Sequence, residues 1–288
     1  MKRLFMLFGL LVAIYLVKGQ EYAFEVEVTG SGTPILMIPG LSSSGDVWDQ
    51  SVEELKENYE CHVVTLPGFA GQPAIKEENY LMTVGDELIK YLKKEKLRNP
   101  VIMGHSLGGF LSLYIGSREP MIASKLIIVD ALPFFGAQQN PSATPETMKE
   151  MAAMMKTNIA MQTPEQYEAM QPMMLKTMMK SDSDIEIVME WGRKSDTPTV
   201  AQAMYELYQI DLREDISKIE TPTLVLGAWI GYKDFGVTRE MTLRSFKLQY
   251  KNLKNAQIEM TDEGKHFIMW DDPQFFHTKV KGFLNEKS

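Results

Sequence analysis

The run Pro100-Val101-Ile102-Met103-Gly104-His105-Ser106-Leu107-Gly108-Gly109-Phe110-Leu111-Ser112-Leu113-Tyr114-Ile115 decides how the rest of the chain is read. Its unbroken apolar start predicts a strand buried on both faces, and the apolar stretch from Gly109 predicts a helix. Only Gly104 to Gly108 lie between them, so the chain must turn sharply with Ser106 at the apex. Glycine at 104 and 108 suits such a turn, where backbone closes on backbone and a Cβ has no room.

Similar short apolar runs recur on either side, at Ile35 to Ile38, Val63 to Leu66, Leu126 to Val129 and Thr223 to Leu226. Helical spacing fills several of the gaps, with Val52, Leu55 and Tyr59 before the second run and Val84, Leu88, Tyr91 and Leu92 before Pro100. Strands alternating with helices predict an α/β fold built on a mostly parallel, doubly wound sheet. Near the start, Tyr22, Phe24, Val26 and Val28 alternate with polar residues and the chain turns at Thr29-Gly30-Ser31-Gly32. That pattern predicts a half-buried antiparallel edge strand.

The alternation stops after Leu132-Pro133 and resumes at Thr221-Pro222. Residues 134–220 are therefore expected to form an inserted, all-helical cap, with 20–133 and 221–288 as the core. Helix starts are expected at Thr144 before Pro145, at the capping box Thr163-Pro164-Glu165-Gln166, and at Ser183 with Glu186. Met148, Met151, Met155 and Ile159 would give the first helix its apolar face, and Tyr167, Met170, Met174 and Met178 the second, which Pro172 should kink. Twelve of the chain's 21 methionines lie in this insert. Two compatible roles are open to these adaptable side chains, helix packing and the lining of an apolar pocket.

With 288 residues, 44% of them apolar and 24% charged, the chain can bury one large core. A formal charge of −8 and the lack of a long Lys or Arg run argue against a nucleic-acid partner. Cys61 is the single cysteine, which excludes an intramolecular disulfide and a multi-cysteine metal site, and its apolar context makes it a strand residue. At the N-terminus Lys2 and Arg3 precede an apolar run from Leu4 to Val17, and Val17 and Gly19 place small residues before Gln20. Residues 1–19 thus read as a cleaved signal, with an uncleaved anchor as the alternative, since the run is shorter than the roughly 18 to 20 residues of a bilayer span. The expected mature protein is exported, periplasmic or secreted, with no stable membrane insertion after cleavage. No cysteine follows the run to carry a lipid anchor.

A serine hydroxyl needs a base, a group to orient that base, and donors for an oxyanion before it is a useful nucleophile. Gly-x-Ser-x-Gly alone would arise by chance in about one chain in ten of this length. The strand before Ser106 and the helix after it raise the motif above chance. His266, in Gly264-Lys265-His266-Phe267 after the alternation Ala256 to Met260, stands where a base is needed. His62 in a strand and His277 on the final helix read as structural. The orienting acid should sit on a loop at the carboxyl end of a strand. Asp234 after Thr223 to Leu226 is the first candidate, Asp130 after Leu126 to Val129 the competitor, with Asp262 and Glu263 also in reach of the histidine in sequence.

These motifs, in this order, resemble the α/β-hydrolase superfamily of serine hydrolases with a helical cap. The resemblance covers essentially the whole chain after residue 19. It implies an eight-stranded sheet, a triad in the order Ser, acid, His, and an oxyanion hole made by the backbone N–H groups of Leu107 and Leu41. The loop Ile38-Pro39-Gly40-Leu41-Ser42-Ser43-Ser44-Gly45-Asp46-Val47-Trp48 matches the family's, with Pro39-Gly40 where His-Gly is common, and Asp46 is available to cap the turn that follows. In this sequence the stretch Gly227 to Lys233 is longer than the family's usual spacing before the acid, which leaves Asp234 and Asp130 both open. The expected activity is that of a carboxylesterase on small esters with an apolar acyl group, with no metal or organic cofactor. Serine at the elbow argues against the dehalogenase and epoxide-hydrolase branches, which use Asp there. It leaves C–C bond hydrolase, lactonase, amidase and perhydrolase chemistry open, as well as a non-catalytic small-molecule receptor.

Overall fold

A computed structural model describes residues 22–138 and 140–286. The leader expected at residues 1–19 falls outside them. Seven strands form one sheet: β1 (Glu25–Gly30), β2 (Thr33–Ile38), β3 (Tyr59–Thr65), β4 (Val101–His105), β5 (Lys125–Val129), β6 (Thr223–Gly227) and β7 (Ala256–Met260). Their order across the sheet is β1-β3-β2-β4-β5-β6-β7. β1 runs antiparallel on β3, pairing Val26 with Val64 and Val28 with His62, and every other neighbour is parallel. The edge strand and the five buried runs fall where the sequence places them. The sheet has seven strands among the described residues, one fewer than the superfamily resemblance implies.

Among the described residues, ten α-helices flank this sheet or extend from it: α1 (Asp49–Leu55), α2 (Tyr80–Lys94), α3 (Leu107–Arg118), α4 (Pro145–Ala160), α5 (Pro164–Met178), α6 (Asp182–Lys194), α7 (Thr197–Gln209), α8 (Arg239–Gln249), α9 (Ile268–Asp271) and α10 (Pro273–Asn285). Strand side chains alternate in direction, so each central strand feeds two cores. Leu36, Ile38, Ile102, Leu126, Ile128 and Val225 face α2, α3 and α8, where Leu88, Phe110, Leu113 and Phe246 meet them. Ile35, Met37, Met103, Ile127, Val129 and Leu226 face the other side, against Trp48, Phe276, Val280 and Phe283. Burial on both faces is why these strands read as continuous apolar runs. A charged side chain enters this layer: Lys125 of β5 is buried, and its Nζ donates to the carbonyls of Phe283, Leu284 and Glu286 at 2.7, 2.9 and 2.7 Å, capping the end of α10.

Helices α4 to α7 all lie between β5 and β6, where the insert is expected. Thr144 and Thr163 cap α4 and α5 with reciprocal capping boxes. The third start is shifted: Ser181, not Ser183, accepts the Asp184 N–H, and Ser183 lies inside α6. Asp196 starts α7 by accepting from Thr199 N–H at 2.9 Å, a cap the sequence reading did not assign. The expected methionine faces hold in part. On α4 Ala152 is fully buried, with Met148, Met155 and Ile159 half-buried on the same face, while Met151 is 47% exposed. On α5 Leu175 is buried and Tyr167 and Met178 pack half-buried against the core, whereas Met170 and Met174 are 62% and 50% exposed. The stripes seat on the core around Ala152 and Leu175, with Met151, Met170 and Met174 turned to solvent.

The insert is tied to loops at the carboxyl edge of the sheet. Asp196 N–H donates to Gly68 O at 2.7 Å after β3, and Phe267 N–H, beyond β7, donates to Met178 O at 3.2 Å. Glu206 of α7 accepts the N–H groups of Tyr80 and Leu81, at 2.8 and 2.7 Å, and so caps α2 from another element.

Candidate active site

β4 delivers Ser106 to the turn before α3, with φ 53° and ψ −118°. A non-glycine residue rarely adopts that shape, and it persists only where the surroundings impose it. Here Ser106 N–H donates to Val129 O at 2.9 Å, and Ser106 O accepts from Phe110 N–H at 3.0 Å. A Cβ on Gly104 would run into the Gly108 carbonyl, and one on Gly108 into the carbonyls of Ile38 and Pro39. Both glycines are therefore required by close approach, as the sequence suggests. Leu107 opens α3, so its N–H has no acceptor within the helix and points out of the positive end.

β2 and β4 are neighbours, yet the chain leaves β2 toward β3 on one side and continues from β4 toward β5 on the other. Ser106 and the Pro39–Ser44 loop thus meet at a topological switch point, where open α/β sheets form their binding crevice. The loop reaches the serine: a Cβ on Gly40 would lie 3.2 Å from Ser106 Cβ. It turns tightly, with Ser42 at φ 56° and Ser43 N–H donating to Gly40 O. Ser44, rather than Asp46, caps the following 3-10 turn by accepting Asp46 N–H at 3.2 Å.

His266 stands on the loop after β7. Its Nδ1 is 2.6 Å from Asp130 Oδ2, with side-chain exposures of 19% and 13%. The other oxygen of Asp130 accepts from Ala228 N–H at 2.8 Å. A carboxylate is an acceptor on both sides, so His266 donates from Nδ1 and turns Nε2 away from Asp130. The partner of His266 is thus the competitor acid and not Asp234. Asp234 lies exposed in a 3-10 turn, Ile230–Phe235, which presses Gly231 against the Thr177 carbonyl of α5. The extra residues after β6 carry Asp234 away from the histidine. Asp262 is committed to Arg239 at 2.8 Å.

His105 is a neighbour of the site that sequence reading left without a role. Its ring centroid lies 4.6 Å from that of His266, and its Nε2 is 3.1 Å from His266 O. The position inside the elbow was visible in sequence, but its partner is 161 residues away. His62 is structural as expected, buried between Tyr91 Oη at 2.6 Å and Glu60 at 2.8 Å. Cys61 is a buried strand residue whose thiol burial pushes up to about 11. Tyr232, whose hydroxyl burial and the Asp130 charge hold above its usual range, borders the acid. Among the described residues no cluster of three or more His, Cys, Asp or Glu side chains is placed to hold a metal ion.

A family described as "Alpha/beta hydrolase family" matches residues 35–278. Among similar proteins, a pimeloyl-[acyl-carrier protein] methyl ester esterase of Aliivibrio fischeri (strain MJ11) is 25% identical over 268 residues, covering 90% of this chain and 96% of that protein. Two solved structures share the architecture. MenH from S. aureus superposes with a TM-score of 0.75 at 16% identity, over 92% of this chain and 98% of that one. The esterase EaEST from Exiguobacterium antarcticum gives 0.71 at 20% identity, over 91% and 96%. With the strained serine turn, the sheet order and a family match spanning β2 to α10, the chain belongs to the alpha/beta hydrolase family.

Proposed function

We propose that the protein is a serine carboxylesterase whose triad is Ser106, His266 and Asp130. The observation that carries this reading is the 2.6 Å Asp130–His266 pair standing against the elbow that holds Ser106. His266 Nε2 takes the Ser106 proton as Oγ attacks the ester carbonyl. The N–H groups of Leu41 and Leu107 receive the oxyanion, and Asp130 stabilises the imidazolium. Collapse expels the alcohol, protonated by His266, and leaves an acyl-enzyme. Water, deprotonated by the same imidazole, releases the carboxylic acid and restores the serine.

Esters of carboxylic acids are the substrates named for relatives such as the Aliivibrio protein, which supports this bond class. A small substrate with an apolar acyl group suits an insert, residues 134–220, that acts as a cap over the crevice. The insert carries 14 Asp and Glu against 8 Lys and Arg, which favours neutral or cationic leaving groups over large anionic ones. Export rests on Lys2, Arg3 and the apolar run that follows. A mature N-terminus at Gln20, read by intact mass of the exported protein, is expected; a full-length mass in that fraction counts against cleavage.

The decisive test pairs labelling with turnover. Wild type should react with a fluorophosphonate probe at Ser106 and hydrolyse short p-nitrophenyl esters, and Ser106→Ala should lose at least about 10³-fold in kcat. Full rate in Ser106→Ala would sink the assignment. Labelling without steady turnover would favour a receptor built on the same site.

A further inference from the structure

His105 is the last residue of β4 and is only 1% exposed. Its Nε2 faces the His266 carbonyl at 3.1 Å. A carbonyl oxygen only accepts, so the proton of the pair sits on Nε2 of His105. Burial holds this imidazole well below its ordinary pKa and thus neutral. Nδ1 is then a bare acceptor, and it is buried without a hydrogen-bond partner among the described residues. It faces Gly40, where a Cβ would lie 3.1 Å from it.

A buried acceptor left unpaired is unfavourable, and Leu or Phe would fill the same space without that penalty. What the imidazole supplies in return is one directed bond to the main chain of the base. The neighbours of His266 are held from elsewhere: Lys265 N–H by Asp271 at 3.0 Å, and Phe267 N–H by Met178 O at 3.2 Å. The His266 carbonyl is held by His105. Two rings also clamp the arrangement, His105 lying 4.6 Å from His266 and 4.7 Å from Phe267 between centroids.

We propose that His105 is a positioning residue: as the neutral Nε2–H tautomer it fixes the His266 main chain from behind, so that the imidazole spans Asp130 and Ser106. One side chain thereby links the serine turn, the Gly40 loop and the base. The proposal rests on the esterase reading for its kinetic test, but its structural claim stands apart from it.

Two measurements decide it. ¹⁵N-resolved NMR of wild type at neutral pH should show His105 as the neutral Nε2–H tautomer; an Nδ1–H tautomer or an imidazolium overturns the proposal, whatever the enzyme's activity. In kinetics, His105→Phe removes the donor and keeps the bulk, whereas His105→Gln keeps an N–H at similar reach. On a short p-nitrophenyl ester, His105→Phe should lose about 10- to 100-fold in kcat with KM within about twofold, and His105→Gln should recover most of it. Wild-type kcat in His105→Phe, or equal losses in two variants of wild-type thermal midpoint, overturns it. Where His105→Phe does not fold, the NMR tautomer alone decides. An inactive wild type would instead sink the esterase reading and leave the tautomer result intact.

Discussion

Asp130 reaches both Ala228 and His266 because its backbone sits at φ 45°, a left-handed shape that Asp accepts more readily than most side chains. Replacing it by Asn puts an amide where two donors need acceptors, so His266 loses the partner that sets its tautomer. Asp130→Asn should lower kcat on a short aryl ester by about 10³- to 10⁴-fold, whereas Asp234→Asn should stay within about twofold. The opposite ranking would return the acid to Asp234. Ser106 and His266 were legible because each sits in a local pattern, a strand–turn–helix for one and a strand-to-helix loop for the other. The acid was not, because Asp130 and Asp234 both follow buried strands. What separates them is the path of residues 228–235, whose 3-10 turn leans on a helix far away in sequence.

Among the elements, α2 shows how the insert and the sheet depend on one another. Its first amides are capped by Glu206 of α7, a buried carboxylate that also accepts from Gln202 at 2.6 Å. Burial raises the Glu206 carboxyl, while these three donors pull it the other way. Glu206→Gln replaces one acceptor by a donor and strands an amide at the start of α2. It should reduce unfolding free energy by about 1–3 kcal/mol, measured by urea denaturation, and an unchanged midpoint would count against a capping role. Caps made within one helix, at Thr144 and Thr163, were readable in sequence, but Glu206 caps across 125 residues and was not. The methionine faces were legible only in part, for a related reason. Period 3.6 reports a stripe, but which edge of it meets the core is set by neighbouring helices, and here Ala152 with Met148, and Leu175 with Tyr167 and Met178, take the contact.

At the scale of the whole molecule, acid should destabilise the fold. His62, His105 and His277 are all held below the ordinary histidine value, chiefly by burial. Their folded pKa values lie below the unfolded value near 6.5, so the unfolded chain binds more protons as pH falls through that value. The stability they contribute is complete above about 6.5 and is lost on acidification. The urea midpoint should therefore be lower at pH 6 than at pH 8; an equal or higher midpoint would contradict it. Glu27, Asp49 and Glu206 are raised by burial and act in the opposite sense, but from the carboxylate range upward, below most of that window. The central strands of the doubly wound core were legible because continuous apolar runs require two covered faces. Lys125 breaks that pattern, and it bears on how the molecule is made. Synthesis runs from the N-terminus, so β5 emerges long before residues 283–286 exist to receive the Lys125 ammonium. Until they arrive, water solvates that ammonium, and the burial of Lys125 in the folded protein waits for them. Phe283, Leu284 and Glu286 close that contact from the far end of α10, so loss of those residues would leave the start of β5, the strand that leads to Asp130, without the acceptors of its ammonium.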